Sequence, residues 1–255
     1  TPHSYHMENS ILCLEAGKAV LCEKPFAMNI GEAEKVVHCA RERGVFLMEA
    51  MWTRFLPALV QVRQWLSDGA IGEVRMLAAD FGFRANVNPD GRLFNPSLGG
   101  GGLLDVGIYT VSLASLIFAE QPSRISGLAD IGETGVDEQG AMVLGYDSGQ
   151  IAVLYCAVRT DTPMEATIMG TEGSIRIESP FWKATSATLS VNGKDSVQTG
   201  LPFEGNGYNY EAAEVGRCLR AGLLENDTML LEETLGIMRT LDSIRAHWGL
   251  RYPAD

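Results

Sequence analysis

"AVLCEKPFAMNIGEAEKVVHCARERGVFLMEA", residues 19–50, holds two short apolar runs with a helical pattern between them. Ala33, Val36, Val37 and Ala40 recur on one helix face, and Gly44 stands where a helix over residues 31–43 would stop. On either side, AVLC and VFLMEA are continuous rather than alternating, the pattern of strands covered on both faces. Strand, crossover helix and strand together predict a parallel α/β sheet. The first strand runs into Glu23-Lys24-Pro25, where the Lys-Pro step restricts both residues and removes a backbone donor, so the chain turns. Upstream, residues 8–16 form a short predicted helix that buries Ile11, Leu12 and Leu14 and stops at Gly17. Two strands are too few for a stable open sheet, so the chain is expected to enter this domain partway through.

Beyond this stretch the pattern changes. Phe55 to Leu66 is helical, and after Gly72 come EVRMLAADFGFR, SRISGLADI, GAMVLGYD, GQIAVLYCAV, MEATIMG and GSIRIES, several separated by tight turns such as Asp147-Ser148-Gly149 and Thr171-Glu172-Gly173. Those turns favour antiparallel hairpins. Amphipathic helices return in YNYEAAEVGRCLRAG and LLEETLGIMRTLDSIRAHWG. The expected layout is the C-terminal part of a parallel α/β domain over residues 1–50, then an α+β domain over residues 51–255 built on a large, mainly antiparallel open sheet, with the last helices packing back on the first domain. In GQIAVLYCAV both alternate sets are largely apolar, so both faces of this sheet are expected to be covered, one by a second subunit or, on the plainer account, both by this chain's own helices. A homodimer is the expected assembly.

Charge and cysteine usage narrow the function classes. The net charge is −12 with no basic run, which opposes binding to nucleic acid. The stretch GGLLDVGIYTVSLASLIFA approaches the length of a membrane span, but Asp105 and its glycines, serines and threonine favour a buried helix. TPHSYHMENS lacks the basic and apolar regions of a signal peptide. Five scattered cysteines with no C-x-x-C pair indicate neither a disulfide framework nor a zinc site and fit a reducing, cytoplasmic setting.

Lys24 is the first candidate for chemistry, because ligands of open α/β sheets bind outside the carboxyl ends of the strands. It is either a solvated strand-end lysine or an amine held to handle a proton. In GGGGLLDVGIYTV (99–111), Asp105 and Tyr109 are four residues apart on an otherwise apolar helix, so they share a face. A tyrosine beside a lysine is a plausible proton relay. Spacing alone favours the plainer account, in which Asp105 supports the helix start and Tyr109 is a core residue. The glycine run follows no clear strand and lacks the order G-x-G-x-x-G, so it is no dinucleotide fingerprint. His3 and His6 have no third ligand nearby, so no metal is expected. Trp52, Arg54 and Phe55, with Trp182, could wall a pocket for a ring-shaped substrate or simply be core. Glu49 is ambiguous on either account.

TPHSYH, AGKAVLCEKP, FLMEAMWTRFLP, GGGLLDVGIYTV, ETGVDE and GTEGSI, in this order, strongly resemble the Gfo/Idh/MocA oxidoreductases, most closely the dihydrodiol and D-xylose dehydrogenase branch. The resemblance implies a Rossmann-like domain for NAD or NADP and a second domain whose open sheet builds a dimer. It implies a hydride transfer between NAD(P) and a C–OH group of a sugar, polyol or cyclic diol. It also implies that Lys24 and Tyr109 exchange the hydroxyl proton, with Asp105 helping to hold the substrate. By the same resemblance Thr1, His3, Glu23, Lys24 and Pro25 border the cofactor, and Trp52, Arg54, Trp182 and Phe203 the substrate. By comparison with the family, about 70 residues with the glycine fingerprint would precede Thr1 in a complete Rossmann fold. This chain by itself is therefore expected to bind cofactor poorly. The alternative class is a non-catalytic sugar-binding or dimerisation module.

Overall fold

The computed structural model describes residues 1–255. A helical turn at His3–Tyr5 leads into α1 (His6–Glu15), β1 (Val20–Glu23), α2 (Ile30–Arg43) and β2 (Leu47–Ala50). β1 and β2 pair in parallel, with Cys22 opposite Glu49. α2 starts at Ile30, one residue before the predicted start, because Asn29 and Glu32 form a reciprocal cap: the Asn29 side chain accepts from Glu32 N, and Met28 N donates to Glu32 Oε2. Gly44 closes it in the left-handed region at φ 60°.

The second part is built on eight strands: β3 (Val74–Gly82), β4 (Arg124–Ile131), β5 (Asp137–Gly145), β6 (Ile151–Ala157), β7 (Ala166–Gly170), β8 (Gly173–Ile177), β9 (Ser186–Val191) and β10 (Val197–Gly200). Their order is β10-β9-β8-β7-β3-β6-β5-β4. Neighbours are antiparallel except β3 and β6, which run parallel. α3 (Pro57–Ser67) precedes β3, and α4 (Ile108–Phe118) stands between β3 and β4 and backs the sheet. β9 and β10 lie beyond the six strands expected from the sequence, although Asn192-Gly193 between them is a strong hairpin signal, with Gly193 at φ 76°.

Two features place the site. The segment Pro96–Phe118 is apolar enough to cross a membrane, its most apolar 18-residue window having a mean hydropathy of 1.6, yet 89% of that window is buried in the core against the inner face of the sheet. α5 (Tyr208–Arg220) then leads to α6 (Leu231–Trp248), which packs against α2 and β2 on one side and α4 and β4 on the other. Its polar ties include Arg41 to Glu232 at 2.9 Å and Ile30 N to Asp242 Oδ2 at 2.8 Å. The outer face of the sheet is not covered by this chain's own helices. Ala152, Leu154 and Cys156 of β6 are buried, whereas Met76, Val143, Ile151, Val153 and Tyr155 on the other face remain 36–42% exposed and Leu128 83%. Within one chain that apolar face is uncovered.

Glu49 lies fully buried between β2 and α6. It is close to the Thr234 hydroxyl, the Arg54 guanidinium and the Phe26 backbone N–H, yet neither oxygen completes a hydrogen bond. Burial pushes its carboxyl up to about 7, against the partial help of those neighbours. The folded chain therefore holds a proton that the unfolded chain gives up near 4.5, so Glu49 lowers stability as pH rises through that window. The gap in melting temperature between Glu49→Gln and the wild type should shift in favour of the variant from pH 4.5 to pH 8; a calorimetric gap independent of pH would contradict this.

Candidate active site

The turn after β1 is clamped from several sides. The His6 ring bonds the Pro25 carbonyl through Nδ1 at 2.7 Å, Cys22 Sγ donates to the Phe26 carbonyl at 3.5 Å, and Phe26, Ala27 and Met28 are buried. This aims Lys24 at the helix that carries Asp105. Lys24 Nζ donates to the Asp105 main-chain carbonyl at 2.5 Å, lies 3.7 Å from Asp105 Oδ1 and stands 4.7 Å from the centroid of the Tyr109 ring. Burial holds the ammonium below its ordinary value; Asp105 opposes that and Arg92 adds to it. Burial works to raise Asp105, but Lys24 and Arg92 outweigh it and keep the carboxylate charged.

The glycine run shapes the helix start. Gly101 has φ 114°, and a Cβ on it would come within 2.2 Å of Asp137 Oδ1. That closeness lets the fully buried Asp137 accept from Leu103 N at 2.6 Å, while Tyr252 donates its hydroxyl to the Gly100 carbonyl at 2.6 Å. Residues Leu103–Gly107 then form a π-helical turn that continues into α4. Such widened turns occur often at functional sites. Here the turn carries Asp105, and Tyr109 follows at the start of α4.

Aromatic rings enclose Tyr109. Trp52 Nε1 donates to its hydroxyl at 3.1 Å. Trp182 stacks on Phe81, with centroids 4.9 Å apart and planes 5° from parallel, and meets Trp52 edge-on at 6.1 Å. Tyr208, 43% exposed at the start of α5, packs on Trp52 at 4.6 Å. Burial pushes the Tyr109 hydroxyl well above its ordinary value, so it stays protonated. The buried indole N–H of Trp182 has no acceptor.

The structure thus brings Lys24, Asp105, Tyr109, Trp52 and Trp182 together. His3 joins them: buried, bonded through Nδ1 to the Gly99 carbonyl at 3.0 Å and pulled down to about 4 by burial and by Lys24. Pro25 is buried in the clamped turn, and Glu23 is exposed at the end of β1. Thr1 is exposed, its carbonyl 3.3 Å from His6 Nε2. Two expected pocket residues direct their side-chain groups to other partners. Arg54 is 2% exposed and spends its guanidinium on Ser112 Oγ and O, the Thr228 carbonyl and Glu233, because the gap beneath the pocket joins three elements whose polar groups need a fork of donors. Phe203 pairs with the Lys183 ammonium at 5.5 Å and makes no ring contact with the cluster. Phe81, Tyr208 and Arg92 join the site without having been singled out in the sequence. Phe81-Gly82-Phe83 at the end of β3 could have marked Phe81; Arg92 has no local signal.

The model for "Oxidoreductase family, NAD-binding Rossmann fold" matches residues 1–51, and that for "GFO/IDH/MocA C-terminal domain" matches residues 59–176. A trans-1,2-dihydrobenzene-1,2-diol dehydrogenase from Mus musculus is 40% identical over 264 residues, and one from Danio rerio 38% over 266; each alignment covers 100% of this chain and 78% of the relative. Among solved structures, an aldose-aldose oxidoreductase from Caulobacter crescentus complexed with glycerol superposes with a TM-score of 0.88 at 23% identity, over 97% of this chain and 75% of that one. A 3-ketoreductase from Actinomadura kijaniata in complex with NADP and TDP-benzene gives 0.83 at 25% identity, over 97% and 76%.

Removing the Trp52–Tyr109 hydrogen bond tests whether the cluster orients the hydroxyl. A buried bond of this kind contributes about 1 kcal/mol, so Trp52→Phe should lower kcat about fivefold. Steady-state kinetics on the full-length protein, with circular dichroism to verify the fold, would reveal this; an unchanged kcat would count against the orientation.

Proposed function

The chain belongs to the GFO/IDH/MocA oxidoreductase family, and on that footing we propose that it carries the proton-handling and substrate-binding groups of an NAD(P)-dependent dehydrogenase acting on a secondary hydroxyl of a cyclic diol, sugar or polyol. The observation that carries this reading is the Lys24 amine, largely withdrawn from solvent at the carboxyl end of a parallel strand and set between Asp105 and the Tyr109 ring. A non-catalytic sugar-binding module would have no use for a lysine whose proton affinity is lowered in that position.

The residues fit a nicotinamide dinucleotide by their chemistry. The strand end offers one amine, a neutral imidazole and exposed backbone, so Thr1, His3, Glu23, Lys24 and Pro25 would border it. When bound, NAD(P) supplies the hydride acceptor for oxidation and the donor for reduction. Lys24, pulled down by burial, takes the substrate hydroxyl proton and returns it in the reverse direction. Tyr109 keeps its proton and donates a hydrogen bond to the same oxygen, oriented by Trp52. Asp105 holds Lys24 and a neighbouring substrate hydroxyl.

The aromatic walls favour a substrate with an apolar face. The unpartnered Trp182 N–H favours one with a further hydroxyl, since a buried donor without an acceptor costs about 1–3 kcal/mol. The names of the relatives point the same way, to diols and aldoses. Residues 1–50 would then form the cofactor side and residues 51–255 the substrate and dimerisation side. The five unpaired cysteines agree with a reducing, cytoplasmic setting.

A homodimer through the outer face of the eight-stranded sheet completes the reading. That face presents Met76, Val143, Ile151, Val153, Tyr155 and Leu128 together, and a depression of about 580 Å³ lies between Leu128, Tyr155 and Thr162. Exposed apolar surface of this extent marks an interaction site.

Lys24→Met in the full-length protein should abolish most turnover while NADPH fluorescence titration still reports cofactor binding; turnover at the wild-type level would refute the assignment. Val153→Glu should convert a dimer into a monomer by light scattering on a sizing column, whereas an unchanged mass would exclude this face.

A further inference from the structure

Arg92 has no part in the reaction just described, yet its position is built with care. A Cβ on Gly100 would come within 2.7 Å of the Leu93 carbonyl oxygen and 2.9 Å of that of Arg92, and Gly101 N donates to the Leu93 carbonyl at 2.8 Å. The glycine run therefore lets the loop backbone press close. From there Arg92 Nη1 donates to Asp105 Oδ1 at 2.7 Å and stands 3.5 Å from His3 Nε2. The Arg92 side chain is 50% exposed, while that of Asp105 is 9%.

Two cations thus compete for one carboxylate. Arg92 holds Oδ1 in direct contact, and Lys24 Nζ stays 3.7 Å from the same oxygen, its hydrogen bond spent on the main-chain carbonyl. A lysine in direct contact with that carboxylate would be fixed there and would keep its proton more tightly.

We propose that Arg92 is a positioning residue for Lys24: by holding the Asp105 carboxylate, it keeps the ammonium on the main-chain carbonyl of Asp105 and over the Tyr109 ring. The proposal rests on the reading of Lys24 as the proton-handling group and adds the residue that sets its state. Each element around Lys24 contributes a group. Glu23 on β1 and Asp105 on the π-helical turn favour the ammonium, His3 in the first turn and Tyr109 on α4 are neutral, and Arg92 opposes it.

The chain has five lysines, so [13Cε]lysine NMR can follow each amine through a pH titration, with Lys24→Met assigning the signal. In Arg92→Met the Lys24 midpoint should rise by about one pH unit or more, the usual effect of a nearby charge. Arg92→Lys, which keeps a cation without the fork, should raise it by less. In the full-length protein the pH profile of kcat should move by the same amount as the midpoint, with KM little changed. Lys24 titrating as in the wild type in both variants would overturn the proposal. The NMR readout needs neither cofactor nor turnover, so it is separable from the functional reading: a shifted midpoint together with full activity of Lys24→Met would sink that reading and leave the coupling of Arg92 to Lys24 standing.

Discussion

A partly buried ammonium ties the end of β1 to the π-helical turn that leads into α4. Removing Lys24 from water is costly unless oxygen atoms replace the lost hydration, and the compensation comes from across the domain boundary, through the Asp105 carbonyl and carboxylate. Much of the surrounding structure serves that contact. His6 and Cys22 clamp the turn that aims the lysine, while Asp137 and Tyr252 hold the glycine run so that the π-helical turn presents Asp105. The proposed chemistry depends on the compensation being incomplete, because full compensation would leave the amine unable to release its proton.

Beneath the pocket, Arg54 does for the aromatic wall what Asp137 does for the helix. It bonds Ser112, one turn beyond Tyr109, from a position two residues after Trp52, and Glu233 of α6 neutralises it. The Trp52–Tyr109 hydrogen bond is therefore fixed by a buried fork of charge-assisted bonds rather than by ring packing alone. Glu49, next to that fork, shows the cost of this crowding: a fully buried carboxyl that is better off neutral.

The main elements were legible in the sequence where local chemistry dictated them. Gly44 and the spacing of Val36 and Val37 defined α2, and the continuous runs defined β1 and β2. β10, four residues with only Val197 apolar, carries little periodic signal, whereas the strict polar–apolar alternation of β9 from Ser186 to Val191 was legible and passed unused. Among the site residues, Lys24, Asp105, Tyr109, Trp52 and Trp182 stood in motifs. Arg54 stood in one too, but a motif does not say which way a side chain turns, and this one turns into the interior to satisfy Ser112 and Glu233.

The sequence by itself determined the family, the parallel start, the large mainly antiparallel sheet and the lysine at a strand end, because periodicity, turn residues and motif order are local properties of the chain. Only the tertiary structure decided that Arg92 shares Asp105 with Lys24, that Tyr208 and Phe81 close the pocket, and that the second face of the sheet is bare within one chain. These depend on approach between residues far apart in sequence, allowed at Gly100 and Gly101 by the absence of a side chain and enforced by the need of each buried charge for a counter-charge or hydrogen bonds.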